Sequence, residues 1–164
     1  MNHKQNKISL QNAFTLLEVM IAMVIFAVGM LGLAGIQGLS LENSHTSYSR
    51  SQAILLAYDM VDRMKANPTG GSAYVVATGT SPTTPSKLCN TEACSNTEMA
   101  AFDLWQWKST LPNLLISGNG QVVNTGGTYT ITVHWDEDRT GATGTTCPPA
   151  AVTDLRCFTL ITRL

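Results

Sequence analysis

The chain has 164 residues, 44% of them hydrophobic, with ten basic and eleven acidic side chains for a formal net charge of −1. That length holds one modest core, and the near-neutral balance, without any basic block to follow a phosphate backbone, argues against nucleic-acid binding. No nucleotide-binding glycine loop, Gly-x-Ser-x-Gly elbow or His-Glu-x-x-His helix occurs, so neither catalysis nor a cofactor is expected.

Residues 1–13 carry only Lys4 and Lys7 as charged groups, and Val19 to Ile36 follows without a charge or a strong polar group. The run has the length of a bilayer-crossing helix, and the two lysines place the N-terminus on the cytoplasmic side with the remainder exported. A conventional secretory signal fits less well, because its apolar core is shorter and ends in a small-x-small cleavage site. Glu18 stands at the mouth of the run, where a carboxylate costs less than the roughly 2.5–3.5 kcal/mol of a mid-membrane position but still brings nothing to a simple anchor. A pairing role follows: in an apolar helix bundle an isolated ammonium and an isolated carboxylate are each costly, and together they offset one another.

The helix is expected to continue to residue 66, because Ile54, Ala57, Met60, Val61 and Met64 recur at three- and four-residue spacing. Asn67-Pro68-Thr69-Gly70-Gly71 supplies the stop. Residues 14–66 as one helix would be about 80 Å long. Gly29, Gly32, Gly35 and Gly38 recur inside it, each costing about 1 kcal/mol against Ala; they suit either close helix packing or local unwinding. Residues 44–51 are polar, either a frayed part of the helix or its exposed portion.

Residues 69–98 are predicted as a long surface loop. A helix is expected over 97–111, ended by Pro112-Asn113, with Trp105 and Trp107 as packing residues. Leu114 to Ser117, a Gly118-Asn119-Gly120 turn and Gln121 to Val123 read as a hairpin; Thr128 to Trp135 reads as a central strand and Cys157 to Thr162 as the last one. Three to four antiparallel strands against the exported half of the helix make an α+β architecture. Asp136-Glu137-Asp138 lacks the spacing of a calcium loop and is expected to be a solvated strand end. His3, His45 and His134 lie far apart, and His134 is a strand residue.

Cys89, Cys94, Cys147 and Cys157 all lie on the exported side, where an even count argues for two disulfides. Of the three connectivities the local pairs Cys89–Cys94 and Cys147–Cys157 are favoured, each closing a loop poor in apolar residues. A zinc site is the weaker reading, because the short gaps of zinc modules are missing.

The ordered set Phe14-Thr15-Leu16-Leu17-Glu18-Val19 behind a short basic leader resembles the class III signal of type IV prepilins and pseudopilins. The resemblance implies cleavage between Ala13 and Phe14 by a prepilin peptidase, N-methylation of Phe14, and pairing of Glu18 with the terminal amine of a neighbouring subunit in a filament. Ala13 departs from the glycine usual before the cut. Residues 57–68, ending Asp59-Met60-Val61-Asp62-Arg63-Met64-Lys65-Ala66-Asn67-Pro68, and the strand Ile131-Thr132-Val133-His134-Trp135 resemble the type IV pilus modification protein (PilV) family of minor pilins. That implies a leader over 1–13, a long helix over 14–66 with 14–36 as membrane anchor and then filament core, and a periplasmic head over 67–164 on a type IV pilin-like fold. It also favours unwinding at the glycines. The implied partners are other minor pilins and the major pilin, the inner-membrane assembly machinery and a tip adhesin, in a complex that primes pilus assembly. The alternatives are a minor pseudopilin of a type II secretion system, or a signal-anchored periplasmic binding domain that never polymerises.

Overall fold

The computed structural model describes residues 15–164. The chain forms two compact units, the first ending at Asn43 and the second spanning Ser44–Leu164. One helix, α1, covers Leu16–Ala66 and contributes to both. It is regular through Gly29, Gly32, Gly35 and Gly38 and through residues 44–51, so the polar section is exposed helix rather than a frayed one.

In the second unit α1 is followed by a 3-10 helix, Pro68–Tyr74, a second helix, α2, Asn96–Leu114, and three strands: β1 Asn119–Thr125, β2 Thr128–Trp135 and β3 Arg156–Arg163. The strands form an antiparallel sheet in the order β1-β2-β3, and Val76 adds an isolated antiparallel bridge to Val122 on the outer side of β1. The architecture is a long N-terminal helix packed on a small three-stranded antiparallel sheet, a pilin-like α+β fold.

The period-2 pattern of the sheet decides which residues meet the helices. Val122, Ile131 and Leu160 stand side by side in register, as do Gly120, Val133 and Phe158. With Tyr129 and Trp135 they face a core built from Ala53, Leu56, Ala57, Met60, Val61 and Met64 of α1 and Ala100, Trp107 and Leu111 of α2. The alanines let α1 approach closely, and Trp107 fills the space between the helices, its Nε1 donating to the Leu56 carbonyl at 2.8 Å. Trp105 is half-exposed and stacks at a tilt on Phe102 with 5.9 Å between ring centroids.

Four sequence expectations are corrected. The hairpin joins β1 to β2 through Gly126 and Gly127, both at positive φ as a two-residue primed turn requires, with the Asn124 side chain accepting from the Gly127 amide at 2.9 Å. Gly118 and Gly120 serve close approach instead: a Cβ on Gly120 would overlap the Trp107 ring, and one on Gly118 the Leu111 carbonyl. Helix α2 runs past Pro112 to Leu114, because burial of Leu111 and Leu115 holds the last turn on the core and offsets the backbone donor that Pro112 lacks. The segment after residue 68 begins as a 3-10 helix with Gly70, Gly71 and Tyr74 buried, not as open loop. Asp136 is buried rather than solvated; its carboxylate accepts from the Gly141 amide at 2.8 Å and the Thr140 amide at 3.2 Å.

Candidate assembly site

Ala13 and Phe14 lie outside the described residues. The described part of the site begins at Thr15, whose side chain accepts from the Glu18 amide at 3.3 Å while its carbonyl accepts from Glu18 and Val19 at 3.1 and 3.3 Å. Thr15 therefore acts as the N-cap of α1 and satisfies donors the first turn cannot. Glu18 occupies the third helical position, exposed and in the first turn, where the positive end of the helix dipole favours a carboxylate. This cap was legible in Thr15-x-x-Glu18, a capping-box spacing, but the sequence reading took Glu18 for its charge alone.

Behind Glu18 the helix is apolar on every face. Leu16 is 86% exposed, Phe26 66% and Ile36 68%, and no residue of 16–36 is buried. A helix that is hydrophobic all round is stable only where something apolar surrounds it. By length and composition this one can cross a membrane. A side chain added at Gly29, Gly32, Gly35 or Gly38 would meet nothing within 4 Å, so these positions are open to a partner helix or to lipid.

Within the second unit the C-terminal part of α1 is fastened to α2 by a polar cluster that local sequence patterns do not reveal. Arg63 pairs with Asp59 one turn before it at 3.0 Å, and its Nη1 reaches Asp103 at 3.1 Å and Gln106 at 2.8 Å on α2. The Tyr74 hydroxyl donates to the other Asp103 oxygen at 2.6 Å. Asn67 donates to the Asn96 carbonyl at 2.7 Å and to the Tyr74 oxygen at 3.3 Å. Burial first and the Asp103 hydrogen bond second hold the Tyr74 phenol protonated far above its ordinary range. The buried carboxylate thus has both a cation and a neutral donor.

A second cluster lies where α2 meets β1. Lys108 is 6% exposed, and its ammonium donates to the Gly120 carbonyl at 2.8 Å, the Asn119 side chain at 2.9 Å and the Ala77 carbonyl at 3.3 Å. None of these acceptors carries a charge, and burial pushes its pKa down to about 8. His134, beside Asn119 in register, is fully buried with neither ring nitrogen hydrogen-bonded; burial, then the Lys108 charge, lowers its pKa and keeps it neutral. Among the described residues no group of His, Cys, Asp and Glu is arranged to hold a metal ion.

Cys89 is bonded to Cys94 and Cys147 to Cys157, with Cα atoms 5.5 and 6.0 Å apart. The first closes a short exposed loop just before α2. That helix begins with a complete capping box, the Ser95 side chain accepting from the Glu98 amide and the Glu98 carboxylate from the Ser95 amide. Lys87 beside Glu98, with the Ser95 amide second, holds that carboxyl down at about 2. The second disulfide ties the loop after β2 to the start of β3 next to His134. Both disulfides brace the second unit, whereas Glu18 belongs to the first.

Residues 35–105 match the family described as type IV pilin Tt1218, Tt1218-like, and residues 8–34 match the prokaryotic N-terminal methylation motif. No curated protein and no solved structure matches the chain. The two matches adjoin near the end of the apolar run and extend from the basic leader into α2. Together with the long N-terminal helix on its small antiparallel sheet, they support a type IV pilin.

Proposed function

We propose that the chain is a minor pilin, of the kind the PilV family represents, that joins other minor pilins in the complex priming type IV pilus assembly. Residues 1–13 are the leader, removed on the cytoplasmic side between Ala13 and Phe14 by a prepilin peptidase, with N-methylation of Phe14. Residues 14–66 are the long helix, of which 14–36 is first the membrane anchor and then filament core, and 67–164 form the periplasmic head. Before assembly the protein sits in the inner membrane with its head in the periplasm; afterwards it lies in the pilus, in contact with the major pilin and a tip adhesin.

The observation that carries this reading is the placement of one carboxylate, Glu18, in the first turn of a helix whose next turns are apolar and exposed on all sides. In a bundle of such helices the terminal amine of a neighbour is the natural counter-charge, and pairing fixes the axial register. The test is mass spectrometry of the protein extracted from native membranes. An N-methylated Phe14 terminus supports the proposal, and an intact Met1 throughout the population sinks it. Glu18→Ala should leave leader removal unchanged while abolishing co-purification with the other pilins.

A further inference from the structure

Lys108, Asn119, Gly120 and His134 come together where α2 meets the start of β1. The Lys108 Nζ lies 2.9 Å from the Asn119 Oδ1, and the Gly120 amide donates to that same oxygen at 2.7 Å. The Gly120 amide therefore stands where negative charge would develop on Oδ1 if the Asn119 Cγ were attacked. Gly120 is itself buried, with the Trp107 ring so close that a Cβ would overlap it.

Two members of the cluster lack the partner that their burial calls for. Lys108 is 6% exposed and faces only uncharged acceptors. With its pKa lowered to about 8, about one amine in ten is unprotonated at neutral pH. His134 is the register partner of Asn119, so the two side chains share one face of the sheet with Cβ atoms roughly 5 Å apart. It is fully buried, and neither ring nitrogen has a hydrogen-bond partner, so the unprotonated nitrogen of the neutral ring is free to accept. Asn119 also lines a cleft of about 310 Å³ with Ser117, Thr143 and Leu155.

We propose that the side chains of Lys108 and Asn119 join spontaneously as an amide, a covalent tie between α2 and β1. The unprotonated Nζ adds to the Asn119 Cγ, and the carbonyl electron pair moves onto Oδ1 against the Gly120 amide. His134 takes one proton from Nζ and gives it to Nδ2. The Cγ–Nδ2 bond then breaks, the carbonyl re-forms, and ammonia leaves through the cleft. No oxidant, metal or water enters the balance. Joining removes a cation that the interior leaves uncompensated, and the fixed contact supplies the proximity that two free molecules lack. The chain described above is the state before joining; its Lys108 still titrates, and joining ends that titration. The reaction needs only the folded second unit, so it stands apart from the assembly reading.

The test is mass spectrometry of the full-length chain extracted from native membranes, before and after incubation at pH 9. The joined chain should be lighter by one ammonia and resist trypsin at Lys108. Chymotrypsin cutting at Leu114 or Leu115 should leave two peptides held together through Lys108 and Asn119. The rate should rise about tenfold between pH 7 and pH 9 as the amine loses its proton. Lys108→Arg should abolish joining, and His134→Gln should slow it on the order of a hundredfold with both native disulfides retained. Loss of ammonia with Lys108 still cut by trypsin would place the change in a succinimide of Asn119 and Gly120, and a gain of one mass unit would mean hydrolysis of Asn119. Either result, or an unchanged mass after pH 9, overturns the tie. Joining at an unaltered rate in the His134→Gln chain overturns the proton transfer given to His134.

Discussion

Replacing Tyr74 with Phe deletes one oxygen from the buried cluster that fastens α1 to α2. That oxygen donates to Asp103 at 2.6 Å and accepts from Asn67 at 3.3 Å, so the change removes a short charge-assisted bond and strands part of a buried carboxylate. A hydrogen bond of this type contributes about 2 kcal/mol. For a unit of this size that is a fall of roughly 8 °C in Tm. Asp103→Ala removes the same bond together with the Arg63 contact at 3.1 Å and leaves a partly buried guanidinium with less compensation, a loss of about 3 kcal/mol. Because the two changes share one contact, the double variant should be less destabilised than the sum by about 1–2 kcal/mol. The assay is urea unfolding of the full-length chain in detergent, followed by tryptophan fluorescence, to which Trp107, fully buried in the core, contributes together with Trp105 and Trp135. If the two losses add to within about 0.3 kcal/mol with unchanged denaturant slopes, the Tyr74–Asp103 bond does not fasten the helices as argued.

Lys108 and His134 give opposite ends of a pH profile the same slope. With Lys108 held at about 8, the unfolded chain binds more protons between there and 10.5, so stability should rise with pH over that window by up to about 3 kcal/mol; Lys108→Met should flatten the rise in urea midpoints. His134 is lowered too, so stability should fall as pH drops below its ordinary value of 6.5, and His134→Phe should abolish that acid limb. Gly120→Ala pushes a methyl group into the Trp107 ring and should cost about 1–3 kcal/mol, seen as a lower Tm with a shifted tryptophan emission. Replacing Cys147 and Cys157 together by Ser should cost about 2–3 kcal/mol by the loop-entropy argument and make the segment around Val152 the first site of limited proteolysis.

The long helix and the central strand were legible because each carries a strong period: the three-four spacing up to Met64, and the alternation from Thr128 to Trp135 that matches β2 at both ends. The first hairpin was misread because Gly118 and Gly120 look like turn residues, whereas what requires them is the close approach of the Leu111 carbonyl to the first and of the Trp107 ring to the second, both on α2 and visible only in three dimensions. The Gly126-Gly127 pair between two β-forming runs was the better turn signal. The Ser95-x-x-Glu98 and Thr15-x-x-Glu18 spacings would have fixed the starts of both helices. At the candidate site, Glu18 stood out by its charge against apolar neighbours. The Arg63–Asp103–Tyr74 cluster did not, because its members come from three segments and no local spacing unites them.

The core of the second unit includes Ala53, Leu56, Ala57, Met60, Val61 and Met64, which belong to the same helix that starts in the apolar run. A fragment trimmed to begin at Asn67 would therefore expose Ile131, Val133 and Trp107 to water and should precipitate. A soluble version must keep the chain from about Ser44 onward. For the same reason the sheet cannot mature on its own residues alone: it needs residues 53–64 of the long helix as its floor, so that helix must be in place before the strands can settle.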